Sequence, residues 1–142
     1  MLISILLAGV VAGGCTAVRW YLDRPDRRDS AYAGGRVHLT ALRNHGSAFG
    51  VLRLGSRALS ALSAAVLAMS LSACRYSRLG CGLLLGGGLS NLWERVRHSS
   101  VYDYVHFPKA PGKLRQYVYN LADFAILLGA LCILRGERKS RR

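Results

Sequence analysis

Four apolar runs separated by arginines constrain this chain more than any other feature. Leu2–Val18, Ala58–Cys74, Leu79–Trp93 and Tyr117–Leu134 are each roughly 15–18 residues long, at the short end of what crosses a hydrocarbon core of about 30 Å. Arginines lie between the runs and hardly ever inside them. This segregation explains how a chain that is 51% hydrophobic also carries a net charge of +13. It predicts an all-α membrane protein with four transmembrane helices, and a length of 142 residues predicts a single domain over residues 1–142.

A basic chain suggests nucleic acid first. No basic amphipathic helix or aromatic-basic stripe lies outside the apolar runs, so no nucleic-acid partner is expected. Anionic membrane lipids are the expected counter-charge, at about 1 kcal/mol per Lys or Arg near the surface. Cys15, Cys74, Cys81 and Cys132 fall in or at the edge of the runs and read as small buried residues rather than a disulfide framework. His38, His45, His98 and His106 show no paired spacing on one helix face, so neither a metal site nor a cofactor is predicted. Small residues at Ala12-Gly13-Gly14-Cys15 are not preceded by a basic segment, which predicts a retained first helix rather than a cleaved signal.

Between the first two runs lies a long polar connection, Arg19 to Arg57. Pro25 and the charge cluster Asp23–Asp29 make its first half a surface loop. Arg36-Val-His-Leu-Thr-Ala-Leu-Arg43 alternates polar and apolar residues, which predicts a half-buried strand. Glycines in Asn44-His-Gly-Ser-Ala-Phe-Gly50 permit a tight turn, and by spacing alone Asn44 is a turn residue. The connection Arg75–Arg78 is short enough to force an antiparallel hairpin. Gly80, Gly82, Gly86, Gly87 and Gly88 predict close backbone approach around the third helix.

With four crossings, the first and third connections fall on one side of the membrane. Asn44, Asn91, Arg95, Asp103 and the start of the fourth helix should therefore converge. Asn91 and Arg95 share a helix face, as do Asn120 and Asp123, with Asp123 expected about two turns into the fourth helix. Seven carboxylates stand against twenty Lys and Arg. Asp103 and Asp123 occupy the mouths of consecutive apolar segments, where an ionised side chain is expensive. Two carboxyls brought close in a low-dielectric site share one proton. That state suits peptide hydrolysis, one carboxylate drawing a proton from water while the protonated one polarises the scissile carbonyl. Spacing alone leaves an equal alternative, in which Asp103 caps a loop and Asp123 pairs structurally with Arg95.

Gly87-Gly-Leu-Ser-Asn-Leu-Trp-Glu-Arg95, Val101-Tyr-Asp103-Tyr and Tyr119-Asn-Leu-Ala-Asp123 resemble, in order, the signature blocks of the lipoprotein signal peptidases (signal peptidase II). Asn44-His-Gly-Ser-Ala-Phe-Gly50 is similar to that family's upstream Asn-x-Gly-x-Ala-Phe-Gly block. The resemblance runs from about Val37 to Leu134, and its weight lies in four blocks in the right order. It implies a bacterial membrane aspartyl peptidase that cuts prolipoproteins just before a diacylglyceryl-modified cysteine. Carried over by motif, Asp103 and Asp123 would be the catalytic dyad. Asn44, Asn91, Arg95 and Asn120 would orient the dyad and the substrate. The implied fold has four transmembrane helices, with a small extracytoplasmic β-cradle and a short interfacial helix from the first connection; a monomer is expected.

The chain departs from the family pattern in three places. A first-helix Asp-x-x-Ser/Thr-Lys block corresponds to Gly13-Gly-Cys-Thr-Ala17, lacking both charges, and Glu94 stands where Asp is common. The helices are also short, implying tight packing or local bilayer thinning. The first and third connections carry thirteen Lys and Arg, against seven in the second connection and the tail. The positive-inside rule puts the heavier set in the cytoplasm, whereas the family puts those loops and the active site on the outer face of the cell membrane; the motifs are followed here. Two other readings stay open. One is a non-enzymatic multi-pass protein using Asp123 as a proton or ion relay, which leaves Asp103 and the asparagines unexplained. The other is an inactive homologue that binds lipidated peptides.

Overall fold

The structure, a computed structural model, describes residues 2–27, 29–45 and 56–142. The glycine turn expected over residues 46–50 lies outside the described residues. Among these there are four α-helices: α1 (Leu2–Leu22), α2 (Ser56–Ala73), α3 (Arg78–His98) and α4 (Leu121–Ser140). Four strands, β1 (Ala31–Tyr32), β2 (Val37–Asn44), β3 (Val101–His106) and β4 (Val118–Tyr119), form one antiparallel sheet in the order β1-β2-β3-β4.

Each helix outlasts its apolar run or is shifted along it. α1 and α3 reach 21 residues and α4 reaches 20, about 30 Å at 1.5 Å per residue. The additional turns carry charged ends such as Arg95, Arg97 and His98 on α3, where cations complement the helix dipole. α4 begins later than the apolar run suggested. Tyr117–Tyr119 leaves the helix to supply β4, and Asn120 becomes the N-cap. Asp123 therefore stands in the first turn of α4, not two turns in.

α3 is the central helix, packed against α1, α2 and α4. Its glycines make this possible: Gly82 and Gly86 face α1, Gly80 and Gly87 face α4, and Gly88 faces Leu67 on α2. An added Cβ at Gly86 would meet Val11 and the Ala8 carbonyl on α1, and one at Gly87 would meet the Ala122 carbonyl on α4. On the facing side, a Cβ at Gly129 would lie 2.6 Å from the Leu84 backbone nitrogen and 2.7 Å from the Gly80 carbonyl oxygen. Backbone cannot rotate aside as a side chain can. Gly129→Ala is therefore expected to cost about 1–3 kcal/mol, read as a lower unfolding midpoint in detergent. An unchanged midpoint would contradict this close α3–α4 contact.

The α2–α3 turn corrects the reading of the cysteines. Cys74 and Cys81, seven apart, form a disulfide across it, while Cys15 and Cys132 are free. Ser77 caps α3 by accepting the Gly80 N–H at 3.0 Å, and this folds Cys81 back over Cys74. Closing so short a loop contributes about 2 kcal/mol through the unfolded chain.

The sheet also differs from expectation. Only β1 and β2 come from the first connection; β3 and β4 come from the third. Pairing of β2 with β3, Asn44 opposite Val101 and Leu42 opposite Asp103, shows that the two connections meet at one end of the helices. A register irregularity between Leu39 and Leu42 bends β2 as a bulge does. Where a short interfacial helix was implied, the described part of the first connection has a three-residue 3₁₀ turn, Pro25–Arg27.

Two helical segments, Leu2–Leu22 and Arg57–Tyr76, are long and apolar enough to cross a membrane. Large apolar side chains face outward on more than these two. Leu2, Ile3, Leu6 and Val10 on α1, Val66 and Met69 on α2, and Leu127, Leu128, Leu131 and Leu134 on α4 are all exposed. That is far more apolar surface than single scattered residues would give.

Candidate active site

β3 carries Asp103 in a strand buried along four consecutive residues, Val101 to Tyr104. Alternation along the strand points Asp103 to one face and Tyr102 and Tyr104 to the other. On the Asp103 face, Asn44 is the diagonal cross-strand neighbour, because Leu42 pairs with Asp103 and Asn44 with Val101. Asn44 Nδ2 donates to Asp103 Oδ2 at 3.2 Å.

Asp123 is held by the geometry of a helix start. The Asn120 side chain accepts the Asp123 N–H at 3.1 Å, and Asp123 Oδ2 accepts the Asn120 N–H at 3.0 Å. This reciprocal capping box satisfies two donors that an α-helix leaves unpaired. The other Asp123 oxygen, Oδ1, accepts from Asn91 Nδ2 at 3.0 Å. An aromatic cluster supports the same corner, with ring centroids of Phe107, Tyr119 and Phe124 about 6 Å apart.

Asn120 joins the halves. Its Nδ2 donates to Asp103 Oδ1 at 2.7 Å and to Asn91 Oδ1 at 3.2 Å, while its backbone N–H and Oδ1 engage Asp123. Asp103 and Asn120 are each only 4% exposed. Burial, followed by the nearby charge of Asp123, pushes the Asp103 carboxyl up from 3.8 to about 6, against the hydrogen bonds from Asn120 and Asn44 and the charge of Arg95. Arg95 is thus electrostatically coupled to the pair without a hydrogen bond to either carboxylate among the described residues; its Nη1 is buried and makes no hydrogen bond there.

Asn44, Asn91, Arg95, Asp103 and Asp123 all line one cavity of about 630 Å³, a size suited to a ligand or peptide segment. Its walls are mostly apolar, with Leu59, Leu62, Val66 and Leu67 from α2 on one side and Val118, Tyr119 and Ile126 on another. The six residues singled out in the sequence are therefore brought together, Asn120 from just behind the cavity. Asp123 makes no ion pair with Arg95, so the structural-pair alternative lacks its contact among the described residues.

The sequence reading missed an ion pair behind the site. Arg19 Nη1 lies 2.6 Å from Glu94 Oε1, with both side chains largely buried. Arg19 follows Cys15 by four residues, the spacing between the Asp and Lys of the first-helix block. Read as Cys15–Arg19, the block keeps a basic fifth residue but puts Val18 in the Ser/Thr place; read as Gly13–Ala17, it keeps Thr16 there and neither charge. The spacing of Cys15 and Arg19 was the available signal.

A family model described as signal peptidase (SPase) II matches residues 4–136. The lipoprotein signal peptidase of Gloeobacter violaceus is 36% identical over 117 residues, covering 75% of this chain and 63% of that protein. That of Clostridioides difficile is 38% identical over 114 residues, covering 73% of this chain and 74% of the relative. The fold is similar to that of a bacterial membrane enzyme solved by the in meso method at 2.3 Å resolution, with a TM-score of 0.78 at 19% identity over 97% of this chain and 88% of the other. The chain belongs to the signal peptidase II family.

Proposed function

We propose that the protein is a single-domain integral-membrane aspartyl endopeptidase that removes signal peptides from diacylglyceryl-modified bacterial prolipoproteins. The observation that carries this reading is one asparagine, Asn120, bonded to both Asp103 and Asp123 at the edge of a largely apolar cavity. In this mechanism the two carboxyls share one proton. The ionised one draws a proton from a water molecule as it attacks, and the protonated one donates to the scissile carbonyl oxygen. Asn44, Asn91 and Asn120 keep the carboxylates oriented, Arg95 supplies positive charge beside them, and the α2 wall takes the lipid-modified part of the substrate. Incubating the purified protein in detergent with a diacylglyceryl-modified prolipoprotein tests the reading. Cleavage just before the modified cysteine is expected, and an intact precursor would overturn it.

All four helices cross the membrane in this reading, because the exposed apolar faces of α1, α2 and α4 surround α3. The termini then lie in the cytoplasm and the sheet with the dyad at the outer face. Two features favour the inverse orientation: the thirteen Lys and Arg on the dyad side, and the disulfide at the opposite end, since disulfides are rare in reducing compartments. Cysteines introduced near Arg43 and Lys109 distinguish the two. Labelling by an impermeant maleimide from outside the cell is expected; labelling from the cytoplasm alone would reverse the orientation.

Arg95 gives a further expectation. A forked guanidinium can hold an acceptor in two places, whereas an ammonium is a point charge. Arg95→Lys should therefore lower turnover about tenfold or more. Undiminished turnover would leave Arg95 no role beyond its positive charge.

A further inference from the structure

Every α-helix starts with backbone N–H groups that its own turns cannot satisfy. At the start of α4 the capping box takes the Asn120 and Asp123 N–H groups. It does not reach Leu121, the first residue of the helix. That amide donates instead to the phenolic oxygen of Tyr104, at 3.0 Å and across seventeen residues of sequence. Tyr104 is 3% exposed and follows Asp103 directly on β3.

We propose that Tyr104 is a positioning residue for the cleavage reaction, holding the first turn of α4 through the Leu121 amide so that Asp123 keeps its place beside Asp103. The inference rests on the peptidase reading. One strand then ties the helix start at two points on its opposite faces: Asp103 Oδ1 to Asn120 Nδ2 at 2.7 Å, and the Tyr104 hydroxyl to the Leu121 N–H at 3.0 Å. A single tie fixes a distance; two ties on either side of a strand also fix rotation of the turn. Rotation matters because Asp123 is itself the third residue of that turn, so any roll of the cap moves a carboxylate.

The surroundings leave little substitute for the phenol. Behind it lies a void of about 10 Å³ lined by Cys15, Arg19, Ser90, Tyr102, Tyr104 and Asn120, among others, room for one water at most. Burial pushes the Tyr104 hydroxyl up to about 12, so the cap stays neutral throughout the range in which carboxylates titrate.

Tyr104→Phe keeps the ring and removes only the hydroxyl. With wild-type and variant protein in detergent micelles, two quantities decide: steady-state cleavage of diacylglyceryl-modified prolipoprotein, and hydrogen exchange of the Leu121 amide. Expected are a kcat lower by about tenfold with KM within about twofold, and Leu121 exchange faster by about tenfold. A lower unfolding midpoint with unchanged kcat per folded molecule would make Tyr104 merely structural and overturn the proposal. So would a loss expressed wholly in KM. If the wild-type protein cleaves no prolipoprotein, the peptidase reading fails, and Leu121 exchange alone judges the cap: unchanged exchange in the variant overturns it, and faster exchange upholds Tyr104 as what holds the Asp123 turn.

Discussion

Asp103→Asn and Asp123→Asn are each expected to lower prolipoprotein cleavage by orders of magnitude while the protein still inserts and folds. Asparagine matches aspartate in shape and keeps one accepting oxygen, so each variant loses one of the two hydrogen bonds its carboxylate accepts, about 1–3 kcal/mol, and still folds. What is lost is the exchangeable proton. An amide neither takes a proton from water nor gives one to a carbonyl, and either role alone is useless without its partner. Because the two carboxyls act as one unit, the double variant should be little worse than either single variant. A relay through Asp123 would behave differently, tolerating Asp103→Asn. Single-turnover cleavage of the three variants beside the wild type separates these outcomes.

The same Asp103→Asn change should gain stability relative to wild type as pH rises. Asp103 sits at about 6 in the folded protein against 3.8, so the fold binds its proton more tightly than the unfolded chain does. Stability contributed by the neutral carboxyl is fully present below about 3.8, declines as pH rises through about 6, and is gone above it. Asparagine does not ionise, so the penalty that grows in wild type with rising pH is absent from the variant, although its NH2 cannot accept from Asn44 or Asn120 as a carboxyl oxygen does. The variant's stability relative to wild type should therefore rise by up to about 3 kcal/mol between about pH 4 and about pH 8. Unfolding midpoints in detergent at the two pH values check this; a difference that does not change with pH would contradict the burial argument. A site residue that costs stability is an ordinary compromise between fold and activity.

Much of this arrangement could be read before any coordinates. Asp103 and Asp123 stood out because carboxylates are scarce in this chain and costly beside hydrocarbon. The convergence of Asn44, Asn91 and Arg95 on one end followed from counting crossings. The glycines of α3 announced close packing, although not that they divide among three neighbouring helices. What escaped was tertiary. Tyr117-Val-Tyr119 is apolar and aromatic, equally suited to a strand or to the first turn of a buried helix, so the start of α4 was placed too early and the capping role of Asn120 was hidden. Val101–His106 was not legible as a strand because Asp103 and the tyrosine hydroxyls masked a segment whose first four residues are buried. The Arg19–Glu94 pair spans 75 positions, and no local pattern signals a partner that far away. Cys74 and Cys81 straddle a helix boundary, and their pairing depends on how the Ser77 cap turns the chain.

The dependence of kcat/KM on pH tests the shared proton most directly. Its limbs report the free enzyme, where both carboxyls ionised and both protonated are inactive states and the form with one proton is active. Measured from about pH 4 to about pH 9 on lipid-modified prolipoprotein, the profile should be bell-shaped, its two limbs belonging to the coupled pair. The alkaline limb should fall near the value of about 6 set for Asp103 by burial and by the charge of Asp123. A profile that is flat, or that has a single limb, would contradict a mechanism in which Asp103 and Asp123 divide one proton between them.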